Sequence, residues 1–305
     1  MTGRVHVIGA ATSAGAHGPG QEEAPDAFRR HGLMERLADA GLEATDHGNV
    51  VWLRMHPDPE HPRLAGAARV VDAAHTVAGH VQHVLETGPD DRVLVLGGDC
   101  TIQLGVVAGA KAAVGGSVGL AYIDLDCDLT SPANGNGIAD WMGLTHLLDA
   151  PDADPRLSGL GGQPPLLTAD RLRLVAADLA TPYEQQRLEE LDLTRYTSTE
   201  VHADTDRVVR ELTSWADHLD LLSVHLDVDV LDQTEFPIAE EQRDTPGLSL
   251  EVLAHVVSGL MAHPTARILS VCEVNPARPP DPIAAFGSLI GLLTTSFADP
   301  DPDAA

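Results

Sequence analysis

Aromatic residues make up only 3% of this 305-residue chain, and bases are scarce, with 19 Lys and Arg against 46 Asp and Glu. With so few rings the core must be built from Val, Leu, Ile and Ala, a composition that suits buried parallel strands covered by helices. The formal charge of −27 repels phosphate backbones and anionic headgroups, which excludes nucleic acid and membrane surfaces as partners. It draws in cations, although an acidic surface that only aids solubility is the plainer reading. Cysteine is nearly absent. Cys100, Cys127 and Cys272 are too few and too scattered for a disulfide framework or a paired-cysteine zinc module, so each is a small buried apolar residue or a site thiol. No run reaches the roughly 18 apolar residues of a membrane span. The opening MTGRVHVIGAATSAG lacks an apolar signal core, and the two observations together predict a cytoplasmic protein.

Short β-branched and Leu-rich runs do recur: VHVIG (5–9), VVWL (50–53), VLVLGG (93–98), VGLAYIDLD (118–126), LRLVAA (172–177), LLSVHLDVDV (221–230) and RILSVCEV (267–274). Helical patterns lie between them at 25–40 with Pro25 in the first turn, at 67–87, at 204–218 with Asp204 as N-cap, and at 250–262. This alternation predicts an α/β fold with a mostly parallel sheet and helices on both faces. No period of roughly 20–50 residues stands out, which argues against a solenoid. Loops are expected at 128–140 and 150–166, and neither divides the chain. We therefore expect one domain over 1–297 and a disordered acidic tail, ADPDPDAA, at 298–305.

Ligands of open α/β sheets bind beyond the carboxyl ends of the strands. Three such ends carry acids or a thiol: Asp99 and Cys100; Asp124, Asp126 and Asp128; Asp227, Asp229 and Asp232. Residues two apart in a strand share a face, so Asp124, Asp126 and Asp128 can converge, as can His225, Asp227 and Asp229. Gathered carboxylates repel one another and lose hydration unless a cation neutralises them, and a divalent metal is the simplest answer. Any one Asp after a strand also reads as a helix cap or turn residue. Two D-x-D patterns in consecutive strand contexts favour the metal.

The segments GGDC (97–100), YIDLDCDLTSP (122–132), HLDVDVLD (225–232) and EVNP (273–276) resemble, in order, the four signature segments of the arginase family. VIGAATSAGAHGPGQEEAPDAFRRHGL (7–33) resembles the family's opening, and TPGLS (245–249) a later turn. The resemblance implies a three-layer α/β/α fold, two manganese ions per subunit, and metal-assisted hydrolysis of a small cationic guanidino compound to urea and an amine. It further implies a homo-oligomer, a trimer or hexamer. Carried over by position, Cys100, Asp124, Asp128 and Asp227 surround one metal and Asp124, Asp126, Asp227 and Asp229 the other. Glu273 matches the glutamate that pairs with the guanidinium, and Asn136 and Trp141 fall with the substrate contacts.

Departures from the family are as informative. Cys100 and Asp126 stand where the family has histidine. Five carboxylates and a thiolate then set −6 against +4 from two dications, a net −2, which makes bound water harder to ionise. A protonated Asp126, a single firmly held ion, a preference for zinc, or help from His225 as ligand or supporting partner would each relieve this. The family's active-site histidine falls on Asp140, which can transfer a proton if burial raises its pKa, or can bind a cationic part of the substrate. Trp141 replaces a small residue and narrows the pocket. In VAADLATPYE (175–184) Asp178 is present where the family grips the α-amino group of arginine, but the next aspartate falls on Ala180, and Glu184 is a candidate for the later glutamate. Together these predict an amidinohydrolase for a guanidino or N-hydroxyguanidino compound other than plain L-arginine. Two alternatives stay open: a catalytically impaired arginase-like protein with a binding or regulatory role, and a hydrolase of amides or formimino groups.

Overall fold

The computed structural model describes residues 3–243 and 245–298. Eight strands form one sheet: β1 (Val5–Thr12), β2 (Ala44–Leu53), β3 (Arg92–Leu96), β4 (Val118–Ile123), β5 (Leu172–Val175), β6 (Thr194–Tyr196), β7 (Leu221–Asp227) and β8 (Ala266–Cys272). Their order is β2-β1-β3-β8-β7-β4-β5-β6, and every named pair is parallel. Every residue of β4 and β7 is buried, because helices cover both faces. On one face Val5, Leu94, Val224 and Leu269 pack with the helices Ala24–Arg30, Thr205–Ala216, Leu250–Met261 and Pro282–Phe297. On the other, Ile8, Val93, Leu120 and Leu174 meet Ala67–Thr87 and Ile102–Val114. The alternation of neighbouring strand residues between faces thus produces the three-layer α/β/α arrangement. Among the described residues, no helix is long and apolar enough to cross a membrane.

Several elements differ from the sequence reading, each for a local reason. The expected helix over 25–40 is two, Ala24–Arg30 and Leu33–Asp39, broken where Gly32 turns left-handed at φ 87°. The strand marked at 50–53 begins at Ala44; its polar first half is exposed at the sheet edge, so no apolar run announces it. β6 has only three residues and lacks such a run as well. The segments 118–126 and 221–230 leave the sheet at Ile123 and Asp227. There Asp124 accepts from the Asp126 amide at 2.7 Å and Asp227 from the Asp229 amide at 2.8 Å, which turns the chain. The acids converge through turns, not along a strand face. The loop over 150–166 contains a one-turn helix, Pro155–Ser158, capped by Asp154. The tail expected to be disordered lies, except for Ala298, outside the described residues.

The glycines of GGDC are dictated by close approach. A Cβ on Gly98 would lie 1.6 Å from the Thr12 carbonyl oxygen, the same oxygen that accepts from the Asp99 amide at 2.9 Å. Gly98→Ala is expected to lower the unfolding free energy by about 1–3 kcal/mol, the usual cost of overpacking. Urea denaturation measures it, and an unchanged midpoint would show that this crossing is slack.

Candidate functional site

The cleft lies beyond the carboxyl ends of β3, β4, β7 and β8. Asp124, Asp126, Asp128, Asp140, Asp227, Asp229 and Glu273 all line it, and the cavity between them is about 10 Å³, room for one water-sized occupant. Ligand atoms of Cys100, Asp124 and Asp227 lie within 4.8 Å of one another, as do those of Asp124, Asp126 and Asp229. Each group holds three of the four residues expected at one metal position and the two share Asp124, while Asp128 is in neither and Asp227 only in the first. Asp128 sits nearby, its carboxylate accepting from the Tyr122 hydroxyl at 2.5 Å. Its backbone is left-handed at φ 45°, and that of Glu273 at φ 62°, conformations held against their intrinsic cost.

Burial dominates the electrostatics. It pushes Asp124, Asp128 and Asp227 well above the ordinary carboxylate range, and neighbouring acids push them further: Asp128 and Asp229 on Asp124, Asp140 on Asp128, and Asp229 and Asp124 on Asp227. Asp126 is raised to about 7 and Asp229 to about 6, again by burial, with Arg243 opposing the rise at both. Arg243 reaches Asp126 at 2.7 Å and Glu241 at 3.1 Å. A divalent cation fits this donor set. Asp124 Oδ2 is buried with no hydrogen-bond partner, as is Glu273 Oε1, and carboxylates in this number need positive charge close by.

Asp140 accepts from the Cys100 amide at 2.7 Å, and a carboxyl oxygen of Asp140 lies within 4.8 Å of one of Glu273. Burial, followed by the charge of Asp99, raises Asp140 well above its usual range, and burial followed by Asp140 raises Glu273. Glu273 Oε2 accepts from Gln21 Nε2 at 2.9 Å. Trp141 lines the mouth, its ring 6.5 Å from that of the exposed His17.

Not every expected contact is at the cleft. Asp178 is not among its lining residues and is tied to helix Ser198–Ala203, accepting from the Ser198 amide at 2.9 Å and from its hydroxyl. Glu184 caps helix Pro182–Glu190 and accepts from the Leu129 amide at 3.2 Å. Asn136 is exposed and accepts from the Ile138 amide within its own turn. Asp99 turns from the cleft to accept from the Gly15 amide at 3.0 Å. His225 bonds no backbone group; its ring meets the Ser270 hydroxyl at 3.1 Å and the Cys100 sulfur at 3.2 Å, and burial lowers its pKa to about 3. Cys127 packs among apolar residues. Gln21, His17, Glu241 and Arg243 were not anticipated. Gln21 and His17 lie inside the segment resembling the family's opening, which was the available signal; Arg243, a base between acids in EEQRD, carried none.

A family model described as the arginase family matches residues 3–288. The chain is 26% identical over 281 residues to arginase-1 of Homo sapiens, covering 90% of this chain and 85% of that protein. It is 26% identical over 317 residues to the arginase of Brevibacillus brevis, covering 98% and 99%. The native structure of arginase from Bacillus caldovelox superposes with a TM-score of 0.86 at 22% identity, covering 98% of this chain and 99% of that one.

A carboxyl group with a raised folded-state pKa keeps its proton in the folded chain after the unfolded chain has lost it, so its contribution to stability falls as pH rises between the two values. For Asp229 and Asp126 that interval runs from the ordinary carboxylate range up to about 6 and about 7. The melting temperature of metal-free protein is expected to fall between about pH 5 and 7, and added manganese at neutral pH to restore it. A flat or rising metal-free profile would contradict this electrostatic picture.

Proposed function

The chain belongs to the arginase family, and on that premise we propose that it is a manganese-dependent amidinohydrolase for a guanidino or N-hydroxyguanidino compound whose head group is not that of L-arginine. The observation that carries the proposal is the buried set of carboxylates in which Asp124 Oδ2 and Glu273 Oε1 have no partner, one oxygen for a metal and one for a guanidinium. The manganese ions are assigned to Cys100, Asp124, Asp128 and Asp227 and to Asp124, Asp126, Asp227 and Asp229. When bound, such ions would offset most of the charge of these acids and would supply the Lewis acidity that activates water. Assembly as a trimer or hexamer belongs to the same proposal and rests on the family alone.

The remaining work falls to side chains. Gln21 holds one Glu273 oxygen, leaving the other to accept an N–H of the substrate guanidinium in a charge-assisted bond. Asp140, whose pKa burial raises well above the usual carboxylate range, is the group placed to hold the proton that the leaving amine needs. The restricted cavity and Trp141 limit what enters. The engagement of Asp178 and Glu184 in helix capping supports a head group unlike the α-amino acid end of arginine.

Manganese-loaded protein assayed against a panel of guanidino and N-hydroxyguanidino acids is expected to release urea or hydroxyurea from at least one of them faster than from L-arginine. Inertness across the panel sinks the proposal. Glu273→Gln is expected to lower kcat/KM about 10–100-fold, the worth of one charge-assisted bond. Asp140→Asn, which can still accept from the Cys100 amide, is expected to lower kcat by about 10²-fold or more and to remove the decline in rate at high pH. A wild-type pH profile in either variant counts against its assigned role.

A further inference from the structure

Cys100 in the turn after β3, His225 on β7 and Cys272 at the end of β8 converge behind the cleft, and none of the three lines it. All three are buried, at 2%, 0% and 0% exposure, and one donor atom from each lies within 4.8 Å of the other two. A tetrahedral zinc ion with sulfur and nitrogen ligands at about 2.3 and 2.0–2.1 Å requires donor separations of roughly 3.6–3.8 Å. The 3.2 Å between His225 Nε2 and Cys100 Sγ needs only a small adjustment.

The imidazole is already set for such a role. The Ser270 hydroxyl donates its single hydrogen to Gln103 Oε1 at 2.8 Å, so toward His225 Nδ1, at 3.1 Å, its oxygen accepts. The ring proton therefore sits on Nδ1, and Nε2 presents a lone pair to the sulfur. Tyr122 stacks on the ring at 4.3 Å between centroids and 14° between planes, which fixes its orientation. Cys100 Sγ faces a second acceptor, Asp227 Oδ2, at 3.1 Å. One S–H proton serves one of these acceptors, whereas a cation bound by sulfur and nitrogen satisfies the imidazole without it.

We propose that Cys100, Cys272 and His225, with solvent as fourth donor, form a binding site for a soft divalent cation, zinc by its chemistry. As the ion enters, each thiol gives its proton to solvent, so two thiolates and a neutral imidazole face a dication with no excess charge. Thiolate and imidazole together select zinc over manganese. The site shares Cys100 with the first manganese position, so the two are alternative occupancies of one corner. It stands on its own geometry and does not rest on the hydrolase reading.

Cobalt(II) loaded into the stripped full-length protein reports thiolate ligation by a charge-transfer band in the near ultraviolet. The expected result is such a band in the wild type, about half of it in Cys272→Ser, and none in the Cys100→Ser/Cys272→Ser double variant. A cobalt spectrum without the band, or a band that Cys272→Ser leaves untouched, overturns the proposal. Because these variants can fail to fold, X-ray absorption at the zinc edge is measured on the wild type as well. Two sulfur neighbours at about 2.3 Å support the site, and one or none overturns it. Neither readout involves turnover: an inert protein with two sulfurs on zinc keeps this site and loses the hydrolase, while an active manganese enzyme with oxygen-only ligation does the reverse.

Discussion

Carboxylates held together out of water repel one another, and each also loses its hydration; this opposition is the constraint around which the molecule is arranged. Asp124, Asp128, Asp227 and Asp229 are each buried to within a few per cent at the rim of the sheet. Nothing in the apolar layers beneath offsets that cost. The positive charge has to come from outside or from Arg243, which reaches only the more open end at Asp126. Burial of the central strands by helices on both faces keeps the cluster in place while it remains unfavourable.

The alternation of apolar runs made the layered fold legible, and the order of four short motifs made the rim legible. Both signals are local. What escaped were features set by distant partners. The acids converge because Asp124 and Asp227 turn their own chains by accepting amides two residues on, which a period-two reading of 118–126 and 221–230 mistakes for continuing strand. Asp178 and Glu184 carry the right chemistry for a substrate amino group, but the amide of Ser198 and those of Thr181 and Leu129 claim them. Gln21 reaches Glu273 across 252 positions of sequence, a separation that no pattern within the chain encodes.

The departures from the family's ligand pattern look less like losses once neighbours are considered. The imidazole missing at position 100 has a counterpart on His225, two strands away in the sheet order β3-β8-β7 and 3.2 Å from the Cys100 sulfur. The charge added by Asp126 meets a guanidinium at 2.7 Å. Asp140, in place of the family's histidine, is anchored by the Cys100 amide, and burial raises its pKa well above the usual carboxylate range.

The left-handed backbone at Asp128 and Glu273 has a consequence of its own. At both positions an alanine replacement removes the carboxyl group but keeps the torsional penalty, whereas glycine removes both. The pair of replacements at one site therefore separates what the side chain does for chemistry from what the main chain tolerates to present it, and the margin by which the glycine variant is sturdier than the alanine variant measures the tension stored in the backbone.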